Sequence, residues 1–458
     1  MTLRQAMLKG RGFLRNAGTR AAGAGVLAIA LVVLAACTST SHGGTSPTAT
    51  GVATGSVSSP SASPSKDNDV RAGTSARLQA PGGGSFLVRG TYPRVRSTCV
   101  DHEQPRLTAR YPGTLSVKRS KDGTLALTVT LPFEQYLEGI AEVPPSWPRA
   151  ALEAQAIAAR SYALATTDWS GAEGETLPTS ICATTSCQVY RGIPVPFDPA
   201  VRRWYGAVRR TSHEVLLFDG RPADTVYFST SNGHTYGNDK VFGSAPLPYL
   251  RPVVENDDGA SPTSHWTVRL PFDDLATFLH RSGEWPGARA ISSFTLNGST
   301  VEVSGDGASR SIDLGTFRDS VNTWAPCLEP GRYPTAGSSG APLPITIPSR
   351  WLSASSEGDV VVLTGRGWGH GAGMVQWGAY GKALRGLSAS DILAFYYGGL
   401  RPKRYPEPGL IHVQVASGLT ALRVVPSGAG AKLNGQVLGP VPLSIAGGDR
   451  LTVTIEPR

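Results

Sequence analysis

Three glutamates, Glu134, Glu138 and Glu142, recur every fourth residue. At helical spacing their carboxyls share one face, and no Lys or Arg stands in that stripe. Like charges four residues apart repel and raise one another's pKa, which suits a carboxyl that must hold a proton near neutral pH. A solvated acidic face is the plain alternative. His370 lies in Gly369-His-Gly-Ala-Gly373, where glycines let the backbone pass close to a ligand. That segment lacks the strand–loop–helix setting of a phosphate loop. Gln376 and Trp377 offer an amide and an aromatic face for hydroxyl and ring contacts, although Trp377 serves equally well as core. Arg160 follows Glu153 by seven residues on the same helical face, a spacing that reads as an ion pair. Cys182 and Cys187 form a C-x4-C pair with no nearby histidine, so a disulfide is favoured over zinc.

These residues need elements to hold them. Phe86-Leu-Val88, Leu115-Ser-Val117 and Leu125–Val129 alternate between turn signals and predict short strands. Pro132 opens a helix with Phe133, Tyr136, Leu137 and Ile140 on one face, broken by Pro144-Pro145. A second helix is expected from near Pro148 to about Thr166, lined by Leu152, Gln155, Ala156, Ala159 and Tyr162. Strands and glycine-containing loops fill Glu214 to Thr267, a short helix Phe272 to Arg281, and a small β unit Ser292 to Phe317. Val360 to Thr364 reads as a strand and Ser388 to Tyr397 as a helix. From about Leu410 an alternating pattern with the turn Asn434-Gly435 reads as a small appended β module. The expected class is α+β with β predominating: a multi-lobed core with a long Ala-rich helix, plus that module.

Three segments carry a resemblance. They are Tyr136–Pro148 continuing into Ala154–Tyr162, then Tyr227-Phe-Ser-Thr-Ser-Asn-Gly-His234 with Pro248–Arg251, and Gly367–Ala379 with Ile392–Gly398. In this order the chain resembles the stage II sporulation protein D (SpoIID/LytB) family over about residues 85 to 400. The resemblance implies a peptidoglycan lytic transglycosylase acting on glycan stripped of stem peptides, or alternatively a non-catalytic wall-binding enhancer of an amidase. It implies a single catalytic glutamate: counting back five from Trp147 gives Glu142, whereas the shortened segment leaves Glu138 as the other candidate. It further implies Arg160, Ser231, His370, Gln376 and Trp377 as substrate-binding residues. Some family members bind zinc beside the second cysteine through a histidine; here Ser186 stands there, so no metal and no cofactor are expected.

The N-terminus gives an address. Arg4, Lys9, Arg11, Arg15 and Arg20 precede an apolar stretch ending Leu34-Ala35-Ala36-Cys37, which is a signal-peptide layout too short to span a bilayer. Leu-Ala-Ala-Cys resembles a lipobox, making Cys37 the expected lipid attachment on the outer membrane face. Four cysteines remain, an even number suited to an oxidising compartment; the simplest pairing is Cys182–Cys187 and Cys99–Cys327. A Ser/Thr/Gly/Pro linker follows the leader. The expected divisions are 1–36 leader, 37–78 tethered linker, 79–408 SpoIID/LytB-like domain and 409–458 β module. Without the five leader cations the net charge falls from +9 to +4. That value gives no reason to invoke nucleic acid, and it suits life beside an anionic wall.

Overall fold

The structure, a computed structural model, describes residues 69–70, 74–80, 82–92, 106–169, 171–287, 289–335 and 343–456. The leader, Cys37, most of the linker and Cys99 lie outside them. The architecture is mixed α+β and β-rich. No helix among the described residues is long and apolar enough to cross a membrane.

Alternation builds the largest sheet. In Leu125–Pro132 every second residue, Leu125, Leu127, Val129 and Leu131, is completely buried, as expected of a strand covered on one face. It pairs antiparallel with Thr114–Arg119 on one side and Leu410–Leu419 on the other. The full seven-stranded order is Gln436–Val437, Lys432–Leu433, Ser75–Gln79, Thr114–Arg119, Leu125–Pro132, Leu410–Leu419 and Thr176–Cys182. A six-stranded sheet carries Ala421–Pro426 beside Ser85–Thr91.

The last fifty residues are therefore not an appended module. Leu410–Leu419 pairs with Leu125–Pro132 and Thr176–Cys182, Lys432–Leu433 extends the same sheet beside Ser75–Gln79, and Ala421–Pro426 pairs with Ser85–Thr91, so each finds its hydrogen-bonded neighbour among earlier strands. The expected turn is present: Asn434 and Gly435 both have left-handed φ, 49° and 90°, and join Lys432–Leu433 to Gln436–Val437. That is the backbone a two-residue hairpin requires.

Pro132 caps a helix α1 (Phe133–Glu138) that is shorter than expected. Ile140, beyond its end, pairs with Tyr190 as an isolated bridge. Helix α2 (Arg149–Thr166) matches its expected span, and twelve of its eighteen residues are buried. Alanine lets neighbours approach from several sides. Ala156, Ala159 and Ala163 join the core of the two large sheets, while Ala154, Ile157 and Ala158 join a separate core. That second cluster includes Phe228, Met374, Val375 and two helices, α7 (Gln376–Leu384) and α8 (Ala389–Tyr396). Between α2 and these come α3 (Val201–Arg210), α4 (Asn238–Phe242), α5 (Phe272–Ser282) and α6 (Leu314–Leu328). Helices α5 and α6 pack with the strands Trp266–Pro271, Val360–Gly365 and Thr300–Gly305 around a third core. Helix α2 thus lies between the sheet platform and the loops that carry the other two motifs.

Candidate active site around Glu142

Glu142 sits four residues beyond the end of α1, so the three glutamates do not form one helical stripe. Glu134 binds Arg160 at 2.8 Å, and Glu138 lies 3.7 Å from Arg209. The acid stripe is split because Gly139 ends the helix and turns Glu142 elsewhere. The close approach explains the glycine: a Cβ there would lie 2.3 Å from the Tyr190 ring.

A strip from the disulfide loop holds Glu142. Ala141 donates its N–H to Val189 O at 2.9 Å, and Arg191 donates to Gly139 O at 2.9 Å. Val189 N–H then donates to Glu142 Oε1 at 2.7 Å. The Cys182–Cys187 disulfide is present as expected, with Cα atoms 5.5 Å apart, and closes the loop just before this strip. Cys327 is also disulfide-bonded, whereas the expected partner Cys99 lies outside the described residues.

The second motif contributes Tyr227, whose hydroxyl donates to the same Oε1 at 3.3 Å. Its direction is fixed by Gln188. The Gln188 amide nitrogen donates to Ala159 O at 3.0 Å and to Tyr227 Oη at 3.0 Å, while its Oε1 accepts from Tyr136 O–H at 2.6 Å. A backbone carbonyl can only accept, so the amide cannot be flipped. With its oxygen already accepting, Tyr227 sends its proton to Glu142. Oε1 therefore accepts two hydrogen bonds, and a proton on the neutral acid belongs on Oε2.

Burial is the main influence on this carboxyl. As a residue Glu142 is only half-buried, but its carboxyl is packed round by protein, and that crowding sets its protonation. Desolvation pushes the pKa up to about 7, against the opposing pull of the Val189, Tyr227 and Gln376 hydrogen bonds and the Arg191 charge. No neighbouring carboxylate contributes. The expected like-charge repulsion from Glu138 is replaced by loss of hydration. Glu138 is itself raised, again first by burial.

The third motif arrives through a glycine-shaped turn. Gly373 has φ 78°, and a Cβ there would lie 1.9 Å from Val226 O. This close passage lets Tyr227-Phe228 pair in parallel with Met374-Val375. Gln376 follows as the first residue of α7. Its amide faces Glu142 and reaches Gln155 Oε1 at 3.3 Å. Trp377 is half-buried and packs with Trp147 and Tyr380, ring centroids 4.9 and 5.3 Å away. The three segments thus converge, with Glu142, Tyr227 and Gln376 each from a different one.

Other expected site residues lie in different roles. Arg160 is completely buried and holds Glu134 and Glu407 at 2.8 Å each, as well as three oxygens around α3. Its partner is not Glu153, which binds Arg149 and Arg210 instead. Ser231 is buried and donates both N–H and O–H to Asp258, at 2.7 and 2.8 Å. His370 does not touch Glu142 but binds the backbone of Tyr227. Ala372 N–H donates to its Nδ1 at 3.1 Å, so Nε2 carries the hydrogen and donates to Tyr227 O at 2.8 Å. Desolvation of those inward nitrogens pushes its pKa down to about 4. The hydrogen-bond pattern points the same way, since an Nδ1 that accepts from Ala372 N–H belongs to a neutral imidazole.

Sequence reasoning missed Gln188 and the roles of Tyr136 and Tyr227. Tyr227 opened a quoted motif, and Gln188 directly follows Cys187, but nothing local showed that both would meet one carboxyl. Among the described residues no group of three or more His, Cys, Asp and Glu is placed to hold a metal ion.

The profile of the family described as "Stage II sporulation protein" matches residues 121–218, which include Glu142, Gln188 and Val189. An uncharacterised protein of Brachyspira hyodysenteriae is 31% identical over 281 residues, covering 60% of this chain and 68% of its own length. Stage II sporulation protein D of Bacillus subtilis is 26% identical over 289 residues, 59% of this chain and 74% of that protein. The amidase enhancer of Bacillus subtilis is 29% identical over 290 residues, and the match spans only 38% of its length.

Proposed function

Because the chain belongs to the stage II sporulation protein D family, we propose that it works on the cell wall as a lytic transglycosylase with Glu142 as its acid and base. The supporting observation is a carboxyl with pKa about 7, held by Val189 and Tyr227 through one oxygen and facing Gln376. The substrate in this reading is the β-1,4 bond between N-acetylmuramic acid and N-acetylglucosamine in peptide-free glycan. The Oε2 proton passes to the glycosidic oxygen as the bond to C1 breaks. The resulting carboxylate takes the proton of the muramic 6-hydroxyl while O6 attacks C1. The anhydro ring closes, no water is consumed, and the acid is regenerated. One carboxyl serves both steps, whereas hydrolytic glycosidases usually use two.

Incubating the chain with peptide-free glycan should release anhydro-muramic products detectable by mass spectrometry. Glu142→Gln keeps size and the Oε1 acceptor but cannot shuttle a proton, so release should fall by about a hundredfold or more. Glycan binding should persist. Full release by Glu142→Gln would defeat the assignment.

The relative named an amidase enhancer supports a second reading, in which the same site holds glycan without cleaving it. That reading gains if the parent chain releases nothing yet speeds a purified cell-wall amidase. On either reading the site faces the wall outside the cytoplasm. Lipid on Cys37 is part of this proposal, and Cys37→Ser should release the protein from the membrane fraction.

A further inference from the structure

Arg191 is placed unlike most cations around it. Arg160, Arg149 and Arg210 each bind a carboxylate, and Arg209 lies near Glu138. The Arg191 side chain is exposed and makes no hydrogen bond or ion pair with any described residue. Its backbone, by contrast, is pinned. Arg191 N–H donates to Gly139 O, Tyr190 bridges to Ile140, and Ile193 N–H donates to Arg110 O at 2.8 Å. Gly192 between them takes φ 68°, and a Cβ there would sit 2.4 Å from Arg110 O. Tyr190 points inward and is buried. In an extended strip the residues on either side, Val189 and Arg191, face the other way. The strip that donates to Glu142 therefore presents an unpaired guanidinium two residues later, near enough for its charge to act on that carboxyl.

We propose that Arg191 is an anion-binding subsite beside Glu142, taking the free lactyl carboxylate of an N-acetylmuramic residue that has lost its stem peptide. The inference rests on the cell-wall reading above for the identity of the polymer. In intact wall the lactyl carboxyl is an amide to the peptide and carries no charge; removing the peptide restores one carboxylate per disaccharide. A guanidinium fork matches a carboxylate with two parallel hydrogen bonds. A rigid backbone carrying an otherwise unpaired cation suits this exchange, since no protein ion pair has to be broken first. Preference for peptide-free glycan would then arise from a charge that only the stripped strand carries.

The test reads binding, so it does not depend on cleavage. The full chain carrying Glu142→Gln is titrated with peptide-free glycan and with the same glycan after its lactyl carboxyls have been converted to primary amides. The carboxylate form should bind more tightly. Adding Arg191→Gln should weaken binding to the carboxylate form about tenfold or more and leave the amide form unchanged, while Arg191→Lys should keep part of the difference. Equal binding of both glycans, equal losses on both with Arg191→Gln, or no binding at all would overturn the proposal. A parent chain that binds with this selectivity but releases no product would sink the transglycosylase reading and leave the subsite standing. Product release with no Arg191-dependent selectivity would do the reverse.

Discussion

Two carboxylate centres flank helix α2, and they are built on opposite plans. At one, Arg160 is completely buried, with Glu134 and Glu407 each 2.8 Å from its guanidinium. Burial pushes Glu407 up, and the Arg160 charge pulls it back down. At the other, Glu142 meets a backbone N–H, a phenol and an amide, and only the exposed Arg191 supplies a positive charge from farther off. A carboxylate clamped by a buried cation is a brace. A crowded carboxyl with only neutral donors can hold and release a proton near neutrality.

The largest effect expected from breaking this contrast falls on the brace. Arg160→Met should remove about 3–5 kcal/mol of stability, because Glu407 would be left buried without its cation. Denaturant titration measures this directly. The fraction that remains folded should bind glycan like the parent, since the guanidinium reaches only protein oxygens. A stable variant with weakened glycan binding would mean that Arg160 contacts substrate after all.

The proton-holding centre gives a smaller effect of opposite sign. Glu142 keeps its proton up to about pH 7, whereas its ordinary pKa is 4.5. Below about pH 4.5 folded and unfolded chains are both protonated there, and the acid costs nothing. As pH rises through this window the unfolded chain releases the proton first, so stability falls until the folded group also ionises. Glu142→Gln removes that penalty. The variant should match the parent near pH 4 and exceed it at pH 8 by at most about 3 kcal/mol, less whatever hydration the half-open side retains. Denaturant midpoints at the two pH values decide it; a variant less stable at pH 8 would show that Glu142 is not held neutral by burial.

The contrast also explains what was legible in the sequence. Helix α2 could be read because Pro148 opens an uninterrupted run of helix formers. The turn at Asn434-Gly435 could be read because its backbone demand is local. The C-terminal strands read as a separate module because their partners, Leu125–Pro132 and Ser85–Thr91, lie far back in the chain. The glutamate stripe failed for the same reason. Spacing predicts neighbours only while the helix continues, and it ends at Glu138. The motif order indicated that three segments belong together, but not that Gln188 would fix the direction of the bond Tyr227 makes.

That direction yields the smallest predicted effect. Tyr227 donates to Glu142 Oε1 and thereby favours the charged carboxylate. Tyr227→Phe deletes this one donor. The Val189 N–H remains at 2.7 Å and Gln188 still donates to Ala159 O, so the carboxyl stays anchored. Its neutral form should gain, and the pKa should rise above 7. The lost bond is long and its donor uncharged, so its preference for the carboxylate is in the range of about 0.5–1.5 kcal/mol, which corresponds to roughly one pH unit or less. If Glu142 is the acid, product release by the parent should decline as pH climbs through about 7, where the donating form is lost. In Tyr227→Phe that decline should move to higher pH with little change in its plateau at lower pH. A shift to lower pH would mean that Tyr227 accepts rather than donates. An unmoved limb with a collapsed plateau would mean that its hydroxyl acts on the sugar instead of on Glu142.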